Sequence, residues 1–292
     1  MGRVARIDAT GCACLTAAGP VRADLAGPVA PVAGDWALLT GDLLVDLLPR
    51  DSTVRRGRDR WDVQGEVVAA NADLVLIVQA FPLVGGVGRT ERLLALAAAT
   101  GAVPVLVLSQ VDRATDPNDV SAALADLAIH AQPLGTCPGV EAVAVSTVPG
   151  HPGNAGLDRL RALLRRETPV GPAGLGWPPT GRTAAVVGTP GSGKSSLVDA
   201  LSGTRSVPSA TGSILVPLPG GGAVIDTQGR GAGQSRESPA TAPLLVAPVA
   251  STGDWLADRY ATRLLVQRRA DWRAAAAAAA GRRRPRPAAG NA

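Results

Sequence analysis

Gly188-Thr-Pro-Gly-Ser-Gly-Lys-Ser195 is a complete G-x-x-x-x-G-K-[ST] phosphate loop. The apolar run at residues 183–187 predicts a buried strand before it, and residues 196–201 predict the first turns of a helix after it. A strand, a glycine-rich loop and a helix are the setting that this motif needs. Glycines let backbone N–H groups turn toward phosphate oxygens, and the helix N-terminus adds a partial positive charge. The stretch therefore predicts a site for the phosphates of a nucleotide.

Lys194 is the only lysine in a chain that otherwise uses arginine. A compact ammonium suits this position, where a planar guanidinium would not fit. We expect Lys194 to reach the β- and γ-phosphates and the Ser195 hydroxyl to hold Mg²⁺. The predicted nucleotide contacts in this stretch are Gly188, Thr189, Pro190, Gly191, Ser192, Gly193, Lys194, Ser195 and Ser196.

The composition fits a chain of two or three domains, with 292 residues of which 46% are hydrophobic. A net charge of +5 permits an acidic partner such as RNA, and an arginine-rich surface explains that charge equally well. Cys12, Cys14 and Cys137 form neither a disulfide framework nor a zinc site, so we expect reduced thiols in a cytoplasmic protein without zinc. The longest apolar stretch, residues 93–108, is interrupted by glycine and proline, so no membrane span is expected. No apolar core follows the charged residues Arg3, Arg6 and Asp8, so no signal peptide is expected.

Residues 1–68 predict an all-β domain. Five short strands, at 4–8, 12–16, 21–25, 36–39 and 43–48, are separated by glycine, proline and aspartate turns. Five strands in this length are typical of a small barrel of the oligonucleotide-binding (OB) type. Arg50, Arg55, Arg56, Arg58 and Arg60 lie near Trp61. This cluster fits a phosphate-backbone contact and a solvated loop equally well.

Residues 69–245 predict an α/β domain. Strands at 72–79, 103–108, 142–145, 183–187 and 223–226 are interspersed with helices at 90–100, 119–129 and 157–166. This alternation indicates a parallel sheet covered on both faces, with a linker at 171–180. Residues 246–292 predict a helical extension, with its helix at 254–280, and a basic, disordered tail.

Two further elements follow predicted strands. Asp226-Thr-Gln-Gly229 places an acid where it can hold Mg²⁺ through a water and a glycine N–H that can meet the γ-phosphate. Ser109-Gln-Val-Asp112 occupies the place of the Asn-Lys-x-Asp element of guanine-binding proteins, with only the aspartate kept. Ser146 and Thr147 match the Ser-Ala element that braces the base. The predicted base contacts are therefore Ser109, Gln110, Asp112, Ser146 and Thr147.

The order of these elements is inverted relative to ordinary GTPases, since the base-reading elements precede the phosphate loop. This inversion is typical of a circularly permuted GTPase. The chain resembles the ribosome small-subunit-dependent GTPases of the RsgA/YjeQ family over residues 1–230. The matching stretches, besides the phosphate loop, are Gly34-Asp-Trp36, Leu48-Pro-Arg50, Ala70-Asn-Ala-Asp73, Glu91-Arg-Leu-Leu94 and Val216-Pro-Leu-Pro-Gly-Gly-Gly222 running into Ile225-Asp-Thr-Gln-Gly229.

The resemblance implies an OB-type barrel, a permuted G domain and GTP hydrolysis triggered by the 30S subunit during its late maturation. It implies GTP, GDP and the 30S subunit or its RNA as partners, and a protein that acts as a monomer. The segment that corresponds to the family's switch I is shortened in this chain, and the resemblance implies that Thr211 within it senses the γ-phosphate. The resemblance further implies a catalytic set of Lys194, Asp226, Gly229 and Thr211.

Several departures from the family bear on activity. The base-reading motif is altered at Ser109 and Gln110, switch I is short, and the cysteines and histidines of the family's C-terminal zinc domain are missing. The leading hypothesis is a slowly hydrolysing, ribosome-associated GTPase. The alternatives are a pseudo-GTPase that binds nucleotide as a switch or scaffold, and an ATP-using phosphate-loop protein.

Overall fold

A computed structural model of the chain describes residues 1–26, 29–56, 66–83, 90, 93, 94, 97, 100–131, 140–165, 181–205 and 212–227. Residues 1–169 and 176–249 form one compact unit. The second unit, residues 170–175 and 250–292, lies outside the described residues, as do the predicted linker, C-terminal helix and tail.

The N-terminal part is a closed five-stranded barrel. Its strands are β1 (Gly2–Asp8), β2 (Gly11–Thr16), β3 (Gly19–Leu25), β4 (Trp36–Thr40) and β5 (Leu43–Leu47), in the order β1-β2-β3-β5-β4. All five predicted strands are confirmed to within two residues at either end. Alternate residues point inward, as the period of a strand requires. The barrel core is small, and consists of Val4, Cys12, Cys14, Ala23, Ala37 and Leu44.

A hairpin that the sequence did not predict follows the barrel. Strands β6 (Thr53–Arg56) and β7 (Glu66–Ala70) pair antiparallel. Two of the clustered arginines, Arg55 and Arg56, lie on β6, whereas residues 57–65 are outside the described part. The predicted domain boundary at residue 68 falls within β7, whose last residues pack into the core of the following sheet.

A six-stranded sheet forms the second half of the unit. Its strands are β8 (Leu74–Ala80), β9 (Val103–Ser109), β10 (Glu141–Val145), β11 (Thr183–Gly188), β12 (Ile214–Pro217) and β13 (Ala223–Asp226), in the order β10-β9-β8-β11-β13-β12. The predicted parallel sheet is confirmed for five strands. The sixth, β12, was not predicted and adds an antiparallel edge through a tight hairpin with β13.

Both faces of this sheet are covered, as the continuous apolar strands predict. Helices α2 (Asn154–Arg165) and α3 (Lys194–Ser202) pack on one face. Helix α1 (Pro117–Ala131) packs on the other face, together with Leu94 and Ala97. These two residues belong to the predicted helix at 90–100, most of which is outside the described residues. None of the helices in the described ranges is long and apolar enough to span a bilayer.

The barrel and the sheet share one hydrophobic core. Ala5 and Ala33 from the barrel region lie in the same buried cluster as Leu215 and Ile225 of the β12–β13 hairpin. Gly34 makes the contact possible: its φ is +94°, and a Cβ there would meet the Ala70 carbonyl and lie 2.8 Å from Ile225 Cδ1. Only glycine fits such a close approach at positive φ. The barrel therefore sits directly against the strand that ends in Asp226.

A buried arginine joins the same two parts. The Arg3 guanidinium donates to the Asn71 carbonyl at 2.8 Å and the Gly34 carbonyl at 3.3 Å, and lies 4.8 Å from the Trp36 ring centroid. Burial lowers the pKa of Arg3 to about 10, although nearby carboxylates, Asp73 foremost, oppose the shift. Arg3 thus satisfies backbone carbonyls at the point where the chain leaves the barrel.

Asp35 and Arg50 form a second, bidentate contact beside it. Arg50 Nε and Nη2 donate to the two Asp35 carboxylate oxygens at 2.7 Å each, and the Val32 N–H donates to Oδ2 at 2.8 Å. The Asp35 side chain is fully buried, and that of Arg50 is 25% exposed. Arg50 is therefore used to hold the loop before β4, and is not a member of an open basic surface.

We expect Asp35→Ala to destabilise the protein by about 3 kcal/mol, because it removes one partner of a buried ion pair and leaves the other charge uncompensated. Urea unfolding followed by circular dichroism measures this loss. Asp8→Ala is the matched control, since Asp8 forms an equally bidentate pair with Arg22 on the exposed barrel surface. Exposed pairs contribute little, so equal losses in both variants would contradict the prediction.

Candidate nucleotide-binding site

The phosphate loop connects β11 to α3 as the sequence predicted. The strand ends at Gly188 and the helix begins at Lys194. Gly191 and Gly193 both have φ of +78°, and this left-handed conformation turns the loop back on itself ahead of the helix. The Leu197 N–H donates to the Gly193 carbonyl at 2.9 Å, so the helical hydrogen bonds start at once. The first N–H groups of a helix point outward from its N-terminal end, which suits those of α3 to phosphate oxygens.

Lys194 lies over the loop. Its Nζ donates to the carbonyl oxygens of Thr189 at 2.7 Å and Gly188 at 3.1 Å. The ammonium is therefore held at the mouth of the loop by backbone acceptors. A phosphate entering the loop would meet a positive charge that is already in position.

Asp226 is brought next to the loop by strand pairing. It is the last residue of β13, it is 3% exposed, and its register partner is Val186 of β11, two residues before Gly188. The next residue, Thr227, fixes the chain there by donating from Oγ1 to the Val186 carbonyl at 2.6 Å. The carboxyl end of β13 and the loop thus lie at the same edge of the sheet.

These residues provide the ligands that Mg²⁺ prefers. Ser195 offers a half-buried hydroxyl in the first turn of α3, and Asp226 offers a buried carboxylate. Hard oxygen ligands of this kind, with waters and phosphate oxygens completing the shell, fit Mg²⁺. Within the described ranges, no group of three or more His, Cys, Asp or Glu side chains is placed to hold a metal ion.

Ser109 and Gln110 contact the phosphate loop itself. Ser109 Oγ lies 2.7 Å from the Ser192 carbonyl and 3.1 Å from the Gln79 carbonyl, both of which are acceptors. Gln110 Nε2 donates to the Gly191 carbonyl at 2.8 Å. Gln110 also has a left-handed backbone with φ of +60°, which re-aims the chain after β9. The two residues therefore attach the predicted base-reading segment to the predicted phosphate loop.

Asp112 and Ser146 meet at the far side of this segment. Ser146 is fully buried, and its Oγ donates to Asp112 Oδ1 at 2.8 Å. Asp112 and Thr147 are exposed, so their polar groups can be reached by a ligand. The structure brings together the two predicted base-contacting segments, which are 34 residues apart in sequence.

Asn154 is a residue of this site that sequence reasoning missed. Its Nδ2 donates to the carbonyls of Ser146 at 2.8 Å and Val148 at 3.0 Å, and so fixes the loop between β10 and α2. The available signal was its place at the start of an amphipathic helix, where asparagine is a favoured residue. Two predicted site residues, Thr211 and Gly229, lie outside the described residues.

Comparisons with known proteins identify relatives and structural neighbours of this chain. No protein-family model matches the chain. The small ribosomal subunit biogenesis GTPase RsgA of Streptomyces avermitilis is 34% identical over 256 residues, which are 80% of this chain and 62% of that protein. The RsgA of Xanthomonas oryzae pv. oryzae is 32% identical over 209 residues, which are 67% of this chain and 50% of that protein. The chain therefore spans less than two thirds of the length of these relatives.

Two solved structures share the fold. YjeQ from Thermotoga maritima aligns with a TM-score of 0.57 and 20% identity, over 78% of this chain and 74% of its own. YloQ, described as a circularly permuted GTPase, aligns with a TM-score of 0.51 and 16% identity, over 78% and 70%. The fold of this chain, a barrel followed by a mostly parallel six-stranded sheet, is thus shared with both.

Proposed function

We infer that the chain belongs to the RsgA/YjeQ family of circularly permuted GTPases, and we propose from this premise that it binds GTP and GDP with Mg²⁺ and hydrolyses GTP slowly. Its proposed partner is the small ribosomal subunit or its RNA, because the relatives are named for the biogenesis of that subunit. We further propose that it acts as a monomer in the cytoplasm. Its proposed domains are an OB-like barrel (1–68), a permuted G domain (69–245) and a helical extension with a basic tail (246–292).

The observation that carries the proposal is the pair of contacts from Ser109 and Gln110 to the phosphate loop. Ser109 lies 83 residues before its partner Ser192, and Gln110 lies 81 residues before Gly191. A glycine-rich turn that matched the phosphate-loop pattern by chance would not have a base-reading segment attached to it. Because the two segments are joined, one nucleotide can be held at its base and at its phosphates together.

Each residue has a distinct role in this proposal. Lys194 neutralises charge on the β- and γ-phosphates, while the N–H groups of the loop bind their oxygens. The Ser195 hydroxyl and the Asp226 carboxylate would hold Mg²⁺, Asp226 through a water, and the ion would supply positive charge against the phosphates. Asp112 accepts the ring N–H and the amine of guanine, with Ser109, Gln110, Ser146 and Thr147 around the base. By resemblance to the family, Thr211 and Gly229 would be the residues for the γ-phosphate, which water would attack.

A second candidate function is nucleotide binding without turnover. A third is the use of ATP in place of GTP. Ser109 and Gln110 favour the use of ATP, because they replace the asparagine and lysine of guanine-binding proteins. The shortened switch I, without the histidines of the family, favours binding without turnover. Turnover of GTP with and without small ribosomal subunits tests the proposal: stimulation by the subunits supports a GTPase. Nucleotide binding with no turnover in either case would leave a pseudo-GTPase, and preferential ATP binding would favour the ATP-using alternative.

We expect Gln110→Met to weaken GTP and ATP binding alike, by roughly 3- to 10-fold. Methionine keeps the length of the side chain but removes the N–H that donates to the Gly191 carbonyl. The phosphate loop then loses one of the two side-chain hydrogen bonds that it receives from Ser109 and Gln110. Titration with fluorescent nucleotides measures the change. A loss confined to GTP would instead show that Gln110 reads the base, and unchanged affinity would show that the attachment does not matter.

A further inference from the structure

Two cysteines that the nucleotide site does not use face each other inside the barrel. Cys12 and Cys14 are separated by one residue on β2, so their side chains point to the same, inward face. Their sulfur atoms are 3.6 Å apart, both residues are completely buried, and both are free thiols. The surrounding side chains, which include Val4, Ala23 and Leu44, are apolar.

The two thiols are chemically unequal because they share a hydrogen bond. The bond to Cys14 lowers the pKa of the Cys12 thiol. The same bond, together with burial, raises the pKa of the Cys14 thiol above its usual range. The geometry lets either sulfur donate in this contact. The directions of the two pKa shifts favour Cys12 as the thiolate and Cys14 as the group that keeps its proton. A nucleophilic thiolate beside a second thiol is the arrangement that dithiol redox centres require.

The strand geometry allows the sulfurs to be bridged, but only with some movement. Residues i and i+2 of a strand have Cα atoms about 6.6–6.8 Å apart, which is the upper end of the range found for disulfides. Bridging would shorten β2 locally. The neighbouring strand is already irregular at this level, since the β1–β2 register shifts between Val4 and Arg6 opposite Cys14 and Ala13. An irregular partner strand can absorb a change that a regular ladder would resist.

We propose that Cys12 and Cys14 form a reversible disulfide when the protein meets hydrogen peroxide. The Cys12 thiolate attacks one peroxide oxygen and the O–O bond breaks, which gives the Cys12 sulfenic acid and a hydroxide. The Cys14 sulfur then attacks the Cys12 sulfur, the S–O bond breaks, and the second hydroxide leaves. The two hydroxides carry away the two thiol protons as water, so the pair loses two electrons and two protons to one peroxide.

The bridge acts on the barrel and not on the nucleotide site. Cys12 is paired with Ile7 and Ala23, and Cys14 with Val4 and Val21, so shortening β2 disturbs hydrogen bonds to both neighbouring strands. A bridge at the limit of the allowed spacing is readily reduced again. Because both thiols are buried, peroxide reaches them only when the barrel opens locally, and we expect the reaction to accelerate in low concentrations of urea.

The experiment uses the full chain carrying Cys137→Ser, which leaves Cys12 and Cys14 as the only thiols. After treatment with a modest excess of hydrogen peroxide, we expect the intact mass to fall by about 2 Da, as formation of one disulfide requires. Thiol titration in denaturant should fall from two groups to none, and dithiothreitol should restore both. Affinity for fluorescent GDP should change by less than about twofold, since the bridge is confined to the barrel.

Each other outcome overturns the proposal. A mass gain of about 16 or 32 Da on Cys12 or Cys14, separated from oxidation of Met1 by peptide mapping, would show that the sulfurs react independently. A covalent dimer would show bridging between chains. No reaction, even in urea that speeds barrel opening, would show that the pair is inert. Cys12→Ala and Cys14→Ala in the same background serve as controls, because neither can lose 2 Da within one chain. The main test does not depend on their folding.

Discussion

Replacing Lys194 by alanine is expected to weaken the binding of both GTP and GDP by at least about 100-fold. Charge-assisted hydrogen bonds to phosphate contribute roughly 3 kcal/mol in total when two are lost, which corresponds to that factor. The ammonium is already held at the loop by the Gly188 and Thr189 carbonyls, so little reorganisation offsets its contribution. Equilibrium titration with fluorescent nucleotides in the presence of Mg²⁺ measures the loss.

The control for this variant must separate charge from folding. Arg22→Ala also removes one positive charge, but from the exposed barrel surface, and we expect it to leave nucleotide affinity within about twofold of the wild type. Circular dichroism and thermal unfolding establish that the Lys194 variant keeps its fold. Nucleotide binding retained by a folded Lys194→Ala chain would contradict the proposed site. If the wild type itself bound no nucleotide, the GTPase proposal would be wrong and a scaffold role would remain.

The parts of the fold that the sequence predicted are those determined by local pattern. Each barrel strand lies between turn residues, and each central strand of the sheet is a continuous apolar run. Strand β12 was not predicted because it is only four residues long and ends in Pro217. Proline argues against a strand unless the strand lies at the edge of a sheet, as β12 does. The β6–β7 hairpin escaped because β6 is half arginine, which resembles a solvated loop.

The buried polar contacts could not be predicted, because they join residues that are distant in sequence. Arg3 meets the Asn71 carbonyl 68 residues later, and Asp35 meets Arg50 15 residues later. Nothing in the residue types tells an arginine that binds backbone carbonyls from one that faces solvent. The same holds for the arginine cluster near the barrel, where Arg50 belongs to a buried ion pair.

In the candidate site, too, the continuous motif could be predicted and the contacts between distant residues could not. The phosphate loop is one continuous stretch, so its strand, turn and helix followed from the sequence alone. Ser109 and Gln110 were recognised by their position after a strand, but their contacts to the Ser192 and Gly191 carbonyls depend on the sheet order that places β9 and β11 on either side of β8. From the sequence, these two residues are interpreted as an altered form of the motif that recognises the guanine base. The structure adds that they brace the loop.

In our proposal, Asp112 is the residue that distinguishes guanine from adenine, and so determines whether the protein uses GTP or ATP. We expect Asp112→Asn to weaken GTP binding by about 100-fold, because two charge-assisted hydrogen bonds to guanine, each contributing about 1.5 kcal/mol or more, are lost. The carboxylate accepts from both the ring N–H and the exocyclic amine of guanine. Asparagine offers one acceptor and one donor, so it leaves the amine facing an N–H.

The same variant is expected to bind xanthosine triphosphate more tightly than the wild type does. Xanthine has a carbonyl where guanine has its amine, and an asparagine N–H can donate to that carbonyl while the amide oxygen still accepts from the ring N–H. The Ser146 hydroxyl, which donates to Asp112 Oδ1 at 2.8 Å, can donate equally to an amide oxygen and keep the side chain in place. A gain for xanthosine triphosphate paired with a loss for GTP would therefore identify Asp112 as the base-reading residue.

Binding of ATP provides the internal control for this exchange. Adenine has an unprotonated ring nitrogen and no amine at the position that Asp112 would contact, so its affinity should change much less than that of GTP. If wild-type GTP and ATP affinities are equal, and Asp112→Asn changes both by the same factor, Asp112 does not select the base. The replacements at Ser109 and Gln110 would then have left a site that recognises the phosphates alone, and the ATP-using alternative would replace the GTPase.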